Sequence, residues 1–239
     1  MIKNIKLTSS LLIISILGGC SISTTHFSRT DPHRGSVAQS ADTALKGANA
    51  NAPVMLRIIK ETKTIELWKQ NKDNSWDKIK TYDICYFSGE LGPKKRQGDY
   101  QAPEGFYEIT ASQLNPFSSE YLSVNTGYPN TRDRSKGYSG AALMIHGGCS
   151  SAGCYAITDP NIEELYAAIR DSIRAGQRSV QLQIYPFPMN SVRMYFQKSN
   201  PNYQFWQELK AGWDWFENNH RPIPIGVEHG KYYIKGESK

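Results

Sequence analysis

The stretch Leu143-Met144-Ile145-His146-Gly147-Gly148-Cys149-Ser150-Ser151-Ala152-Gly153-Cys154 carries more information than any other part of the chain. Its opening residues are apolar and read as a buried strand, which delivers His146 into a loop of glycines and serines that ends at Cys154. Cysteine–histidine catalysis needs an imidazole within hydrogen-bond reach of the thiol, so that thiolate forms near neutral pH. Small residues around the sulfur let a substrate carbonyl approach. Backbone N–H groups near Ala152, Gly153 and Cys154, with Gly147 in the same loop, are candidates to face a developing oxyanion. A helix starting shortly afterwards, near Asp159, adds a small favourable dipole if it points at the site.

Other readings of these residues stand beside that one. Cys149 and Cys154 can form a structural disulfide, or both can ligate zinc with His146. The zinc reading lacks a fourth ligand and a CxxC pair, so no metal or cofactor is expected. Cys149 otherwise reads as a loop or core thiol, or as a redox partner able to block Cys154. Cys85, on a strand, reads as a small core residue. His220 and His229 have no partner pattern and read as incidental.

Upstream, the signals are mostly β. Val54–Ile59, Thr62–Trp68 and Trp76–Ile84 read as strands, and Gly105–Thr110, Tyr121–Asn125 and Ala142–His146 supply more between Gly/Pro/Asn-rich loops. Downstream comes one clear helix. Asp159 is the expected cap, Pro160 sits in the first turn, and Ile162, Leu165, Ile169 and Ile173 form one apolar stripe. Gly176 ends the helix, and Val180, Leu182 and Ile184 alternate as the next strand. From Pro186 the character changes: Phe205, Leu209, Trp213 and Phe216 recur at helical spacing, the pattern of an aromatic helix packed on the β domain. A carbohydrate-stacking platform is the alternative reading of that tail.

The N-terminus has its own pattern. Lys3 and Lys6 precede an apolar run from Leu7 to Leu17, as in a signal peptide. The run ends Leu17-Gly18-Gly19-Cys20, which resembles a bacterial lipobox with Cys20 as the lipidated residue. Ser21 follows, and by analogy with enteric lipoproteins that points to the outer membrane. Residues 21–52 are rich in Ser, Thr, Ala, Asn and Gly, the composition of a flexible tether. No later run approaches the roughly 20 apolar residues that span a bilayer. The formal net charge is +6, and without residues 1–19 it is 26 basic against 22 acidic residues, or +4. The surplus is diffuse, with no Lys/Arg stripe carrying interleaved aromatics, so nucleic acid is not an expected partner. Of four cysteines, lipidation of Cys20 leaves an odd number in an oxidising compartment, so one unpaired thiol with a use is expected.

The chain resembles the L,D-transpeptidase (YkuD) family. That family's signature is a His-Gly pair, a spacer, and Ser/Thr-His-Gly-Cys; His146-Gly147 matches the first part and Ser151-Ala152-Gly153-Cys154 the second. Gly98 to Tyr107 is similar to the family's G-x-x-x-x-P-x-G-x-F/Y strand entry. With Asn125-Thr126-Gly127-Tyr128-Pro129-Asn130 and Asp133-Arg134, the motifs fall closest to the YafK-like branch. Two departures stand out: the second histidine of the signature is Ala152 here, and the spacer from His146 to Cys154 is short.

The resemblance implies a mainly β fold with helices (α+β), a YkuD-like β domain followed by a helical C-terminal extension. The expected organisation is a lipoprotein signal over 1–20, a tether over 21–52, a catalytic domain over 53–186 and the aromatic extension over 187–239. It implies Cys154 as nucleophile and His146 as general base, with the carbonyl of Gly147 or a nearby loop orienting the imidazole. Tyr128, Asp133 and Arg134 become candidates for substrate contact, Arg134 through a diaminopimelate carboxylate, although loop support is the commoner use of such residues. The implied substrates are peptidoglycan stem peptides in the periplasm, and a wall-attached envelope lipoprotein is a further candidate partner. Membrane contact would run through the lipid on Cys20. Hydrolysis of a Cys154 thioester, transpeptidation, and a non-catalytic wall-binding lipoprotein are the three functions that remain open.

Overall fold

The computed structural model describes residues 51–236, so the lipobox and most of the tether lie outside the described residues. In chain order the strands are β1 (Val54–Ile59), β2 (Thr64–Gln70), β3 (Trp76–Asp83), β4 (Gly105–Ile109), β5 (Leu114–Ser118), β6 (Tyr121–Asn125), β7 (Met144–His146), β8 (Tyr155–Ala156), β9 (Val180–Tyr185), β10 (Ile225–Glu228) and β11 (Lys231–Ile234). The helices are α1 (Thr131–Ser135), α2 (Asp159–Arg174), α3 (Ser191–Phe196) and α4 (Tyr203–Asn219).

Alternation in three strands fixes the main sheet. Its order is β3-β2-β1-β9-β4, with β1 and β9 parallel and the other pairs antiparallel. Val54, Leu56 and Ile58 on β1, Tyr107 and Ile109 on β4, and Val180, Leu182 and Ile184 on β9 all enter one core. That core is shared with α2, through Ile162, Leu165 and Ile169, and with the second sheet, β5-β6-β7-β8, through Val124, Ile145 and Tyr155. Both faces of the central strands are buried, because the opposite side carries Met55, Phe106 and Tyr185, packed under the C-terminal segment. The fold is therefore α+β with a mixed sheet.

Helix α4 covers that second face with Phe205, Trp206, Leu209 and Phe216. Arg57 of β1 is caught beneath it, 2.6 Å from Glu66 and 2.7 Å from Glu217, with Trp213 stacked on its guanidinium at 4.4 Å. The C-terminal segment is not all helix. After α4 the chain makes a hairpin, β10–β11, whose turn places His229 and Gly230 at φ 48° and 70°. Tyr232 of that hairpin reaches back, its hydroxyl 3.2 Å from the Phe106 N–H.

Several boundaries differ from the sequence expectation, three of them for a visible reason. Strand β2 begins at Thr64 because Lys63, at φ 53°, completes the turn after β1. Strand β7 begins at Met144, after Ala142 at φ 55°. The N-cap position of α2 is Thr158, whose side chain makes no capping bond, and Asp159 is the first helical residue. Asp159 turns its carboxylate to the loop before it instead.

Candidate active site

His146 and Cys154 are brought together by two short parallel strands. On β7, His146 pairs with Ser123 of antiparallel β6 on one side and with Ala156 of parallel β8 on the other. Ile145 faces the core, so its neighbour His146 projects from the opposite face of the sheet. Cys154 immediately precedes β8, two residues before Ala156, and alternation puts it on the same face as His146. With strands about 4.8 Å apart and a rise of about 3.3 Å per residue, that diagonal is about 8 Å between Cα atoms, a span that an imidazole and a thiol can close. The Cys154 sulfur lies 3.4 Å from the Met144 N–H and 3.5 Å from the Ala142 carbonyl. The N–H presents the positive end of its dipole to the sulfur, the polarity that a thiolate needs.

The imidazole is held from behind. His146 Nδ1 lies 2.6 Å from the carbonyl oxygen of Gly147, so with the proton on Nδ1 the other nitrogen, Nε2, is an acceptor. His146 is buried, and burial pushes its pKa below the ordinary imidazole value against the opposing pull of the Gly147 carbonyl and the Glu120 charge. A neutral ring is the form able to take a proton. Ser123, beside it in register, has a fully buried hydroxyl with no hydrogen-bond partner among the described residues.

The loop from Gly147 to Gly153 is tied down at every turn. The Gly147 N–H donates to the Glu120 and Leu122 carbonyls at 3.1 and 3.2 Å. A Cβ at Gly147 would lie 2.4 Å from Asp159 Oδ1 and 2.7 Å from the Glu120 oxygen, so only glycine fits there. Gly148 donates to Asp159 Oδ1 at 2.8 Å. Cys149 is joined to Cys85 in a disulfide, with Cα atoms 5.6 Å apart. That bond corrects four readings at once. Cys85 is not a core thiol, Cys149 is not a loop or core thiol, Cys149 is not paired with Cys154, and a bonded Cys149 cannot complete a zinc site with His146.

Most of the expected oxyanion donors are engaged within the protein. The Gly153 N–H donates to the Ser88 hydroxyl at 2.7 Å, and the Cys154 N–H to the Ser151 hydroxyl at 2.8 Å. The Gly147 N–H is committed to β6, as described. Ala152 is exposed at the loop's outer edge. Each engaged donor would have to exchange its partner to meet a substrate oxyanion. Ser88 is a residue that sequence reasoning did not single out. Its hydroxyl accepts from Gly153 and donates to the Tyr100 carbonyl at 2.7 Å, joining the cysteine loop to the segment before β4.

That segment is fixed by a buried ion pair. The Lys60 ammonium, wholly buried, lies 3.0 Å from Glu104 Oε1 and donates to the carbonyls of Glu90, Gly92 and Ala102 at 2.7, 3.2 and 3.2 Å. Glu104 in turn accepts from the Gly92 N–H at 2.6 Å and from Trp206 Nε1 at 2.9 Å. One charge pair therefore joins β1, the wall beside Cys154 and α4. Desolvation holds the Lys60 pKa below its ordinary value, with Glu104 opposing.

The three candidate substrate contacts are placed apart from this cleft in character. Tyr128 is buried, its hydroxyl 3.3 Å from the carbonyls of Lys94 and Ser139. Asp133 is buried inside the first turn of α1, accepting from Asn130 N and the Tyr107 hydroxyl at 3.1 Å each, and burial pushes its carboxyl up to about 6. Both support the fold. Arg134 is exposed and donates to the Pro129 carbonyl. Its neighbour Arg132 makes the forked pair, to Glu208 of α4 at 2.8 and 3.1 Å.

Comparison with known proteins adds to the geometry. The family model of the L,D-transpeptidase catalytic domain (YkuD) matches residues 56–177. The Escherichia coli K12 protein YafK, which carries an L,D-transpeptidase name, is 42% identical over 183 residues, covering 77% of this chain and 74% of its own. Among solved structures, the helical cell shape determining protein Pgp2 from Campylobacter jejuni is similar at a TM-score of 0.46 and 16% identity, over 86% of this chain and 85% of that one. L,D-transpeptidase 1 of Mycobacterium tuberculosis is similar at 0.29 and 12% identity, over 56% and 62%. On the family match and the 42% identity, the chain belongs to the L,D-transpeptidase (YkuD) family.

Proposed function

We propose that the chain is a peptidoglycan-modifying cysteine enzyme that cuts the amide at the L-centre of diaminopimelate in stem peptides, with Cys154 as nucleophile and His146 as base. The observation that carries this reading is the placement of His146 on β7 and Cys154 at the entry to β8, on one face of a parallel pair, with Nδ1 held by the Gly147 carbonyl. In the first half-reaction Nε2 takes the thiol proton and the sulfur attacks the carbonyl carbon. A C–S bond forms, the C–N bond breaks, and the amine leaves with the proton from the imidazolium. In the second, His146 takes a proton from the acceptor, a new bond forms at the same carbon, and the thiolate returns.

Water is the proposed acceptor. Position 152, a histidine in the family's signature, is an exposed alanine here, and the short loop around it is closed down by the Cys85–Cys149 bond. That rim offers little to hold a second stem peptide. The released group would then be a D-amino acid or an envelope protein bound to the wall. Lipidation at Cys20 and a periplasmic site facing the outer membrane belong to the same proposal, supported by the Leu17-Gly18-Gly19-Cys20 register. Transpeptidation stands as the second reading, since the family match supports it equally for the first half-reaction.

The experiment is incubation in ¹⁸O-water with tetrapeptide muropeptides and, separately, with sacculi carrying bound protein. Label in the released diaminopimelate carboxyl is expected. New unlabelled cross-links or protein–wall adducts would reverse the assignment in favour of transpeptidation.

A further inference from the structure

Helix α3 wears its apolar residues outward. Val192, Tyr195 and Phe196 stand at i, i+3 and i+4, which gathers them on one face, and they are 66%, 61% and 72% exposed. Met194, on the other side, is the buried residue of that helix. The Tyr195 and Phe196 rings meet edge-on, with centroids 5.6 Å apart and planes at 86°. They make a wedge, not the flat platform on which a sugar ring stacks.

The surroundings are cationic. The Lys198 ammonium lies 4.4 Å over the Tyr195 ring. Arg193 pairs with Glu61 and so neutralises a neighbouring carboxylate, while Lys63 of the same turn is exposed. From Pro186 to Gln207 there is no acidic residue, and Arg193 and Lys198 are the charged side chains of that run. Three side chains on one short helix fall well below the roughly 800 Å² that each partner contributes to a stable protein interface. A second copy of the chain is therefore a poor fit to the patch. A bilayer surface asks for a few amphipathic anchors with cations beside them.

We propose that this face is a membrane-contact wedge for an anionic phospholipid surface. Phe196 and Val192 enter the boundary of the acyl chains, the Tyr195 ring lies at headgroup level, and Lys198 meets the phosphates. The wedge follows β9, at the end of the main sheet where Lys60 holds the wall beside Cys154, whereas β1 begins at the other end of the sheet, about 20 Å away. Contact there would set the orientation of the domain on the bilayer. A single such contact is weak and reversible, so it serves to orient a domain, not to anchor it.

The test uses the full chain with Phe196→Trp, reconstituted in vesicles of phosphatidylcholine and phosphatidylglycerol at about 3:1, a fraction of the lipid carrying brominated acyl chains that quench indole emission on contact. Phe117→Trp, at a position 78% exposed on the other sheet, is the control. Because the chain has five tryptophans of its own, the emission added at each position is taken as the difference from the wild type; that added at 196 is expected to fall by about half, that at 117 little, and the loss at 196 to shrink when phosphatidylglycerol is omitted. Equal quenching at both positions, or none at 196, would overturn the proposal. So would a dimer of the full chain in detergent that Val192→Ser/Tyr195→Ser/Phe196→Ser dissociates, or sacculus binding lost in that variant without lipid quenching. None of these outcomes bears on the chemistry of Cys154.

Discussion

Glu104→Gln would remove one charge from the buried pair that holds the cleft wall, while keeping the side chain's shape. Lys60 would stay buried with three carbonyl acceptors and only the exposed Glu90 as counter-charge. Removing one partner of a buried ion pair typically costs 3–5 kcal/mol, and the retained amide oxygen, still available to the Gly92 or Trp206 N–H, places this case near the lower end, about 3 kcal/mol. For a domain of this size that corresponds to a fall of about 6–12 °C in Tm. The assay is urea unfolding followed by circular dichroism, with Lys60→Met and the double variant Lys60→Met/Glu104→Gln alongside. The double variant carries no unpaired charge, so it should regain about 2 kcal/mol relative to the sum of the single losses. A cost under about 1 kcal/mol for Glu104→Gln, or strict additivity in the double variant, would refute the reasoning.

Other outcomes follow from the same packing. Gly147→Ala would drive a methyl group into Asp159 and the Glu120 carbonyl; we expect a loss of about 2 kcal/mol by unfolding and a fall in turnover of about 100-fold through displacement of His146. Cys85→Ser/Cys149→Ser opens a loop closed across a sequence separation of 64; chain entropy sets the loss at about 4 kcal/mol, measurable against the wild type under non-reducing conditions. His146 has a folded-state pKa below its unfolded one, so its contribution to stability is present above the unfolded value and is lost as pH falls through the folded value. The acid limb of the pH profile of kcat/KM should accordingly lie below the ordinary imidazole pKa, and a limb above it would contradict the desolvated ring.

Much of the fold was legible because burial imposes a period. Val180, Leu182 and Ile184 alternate, and Ile162, Leu165 and Ile169 recur at helical spacing, since each element faces the same core. Strand β5 escaped notice because Pro116 and exposed Phe117 interrupt any pattern, and its pairing with β6 is irregular between Asn115 and Ser118. The β10–β11 hairpin turns on His229-Gly230, a weaker signal than Asn-Gly, inside a segment whose aromatics suggested helix. At the site, His146, Gly147 and Cys154 could be named from local order along the chain. The Cys85–Cys149 bond and the Ser88 contact join segments far apart in sequence, the orphan hydroxyl of Ser123 arises only where β6 pairs with β7, and no local pattern encodes any of them. Asp159 was read as a helix cap because capping is the common use of an aspartate before proline. Here its carboxylate is taken by the Gly148 N–H.

The most direct test of the central claim is the mass of the protein itself, caught during turnover with a diaminopimelate-containing tetrapeptide muropeptide by rapid acid quench and mapped by peptide. The expected result is an acyl adduct on the peptide containing Cys154, absent in Cys154→Ala and slower to appear in His146→Ala. An adduct on any other residue, or product release by Cys154→Ala at the wild-type rate, would contradict a Cys154 thioester.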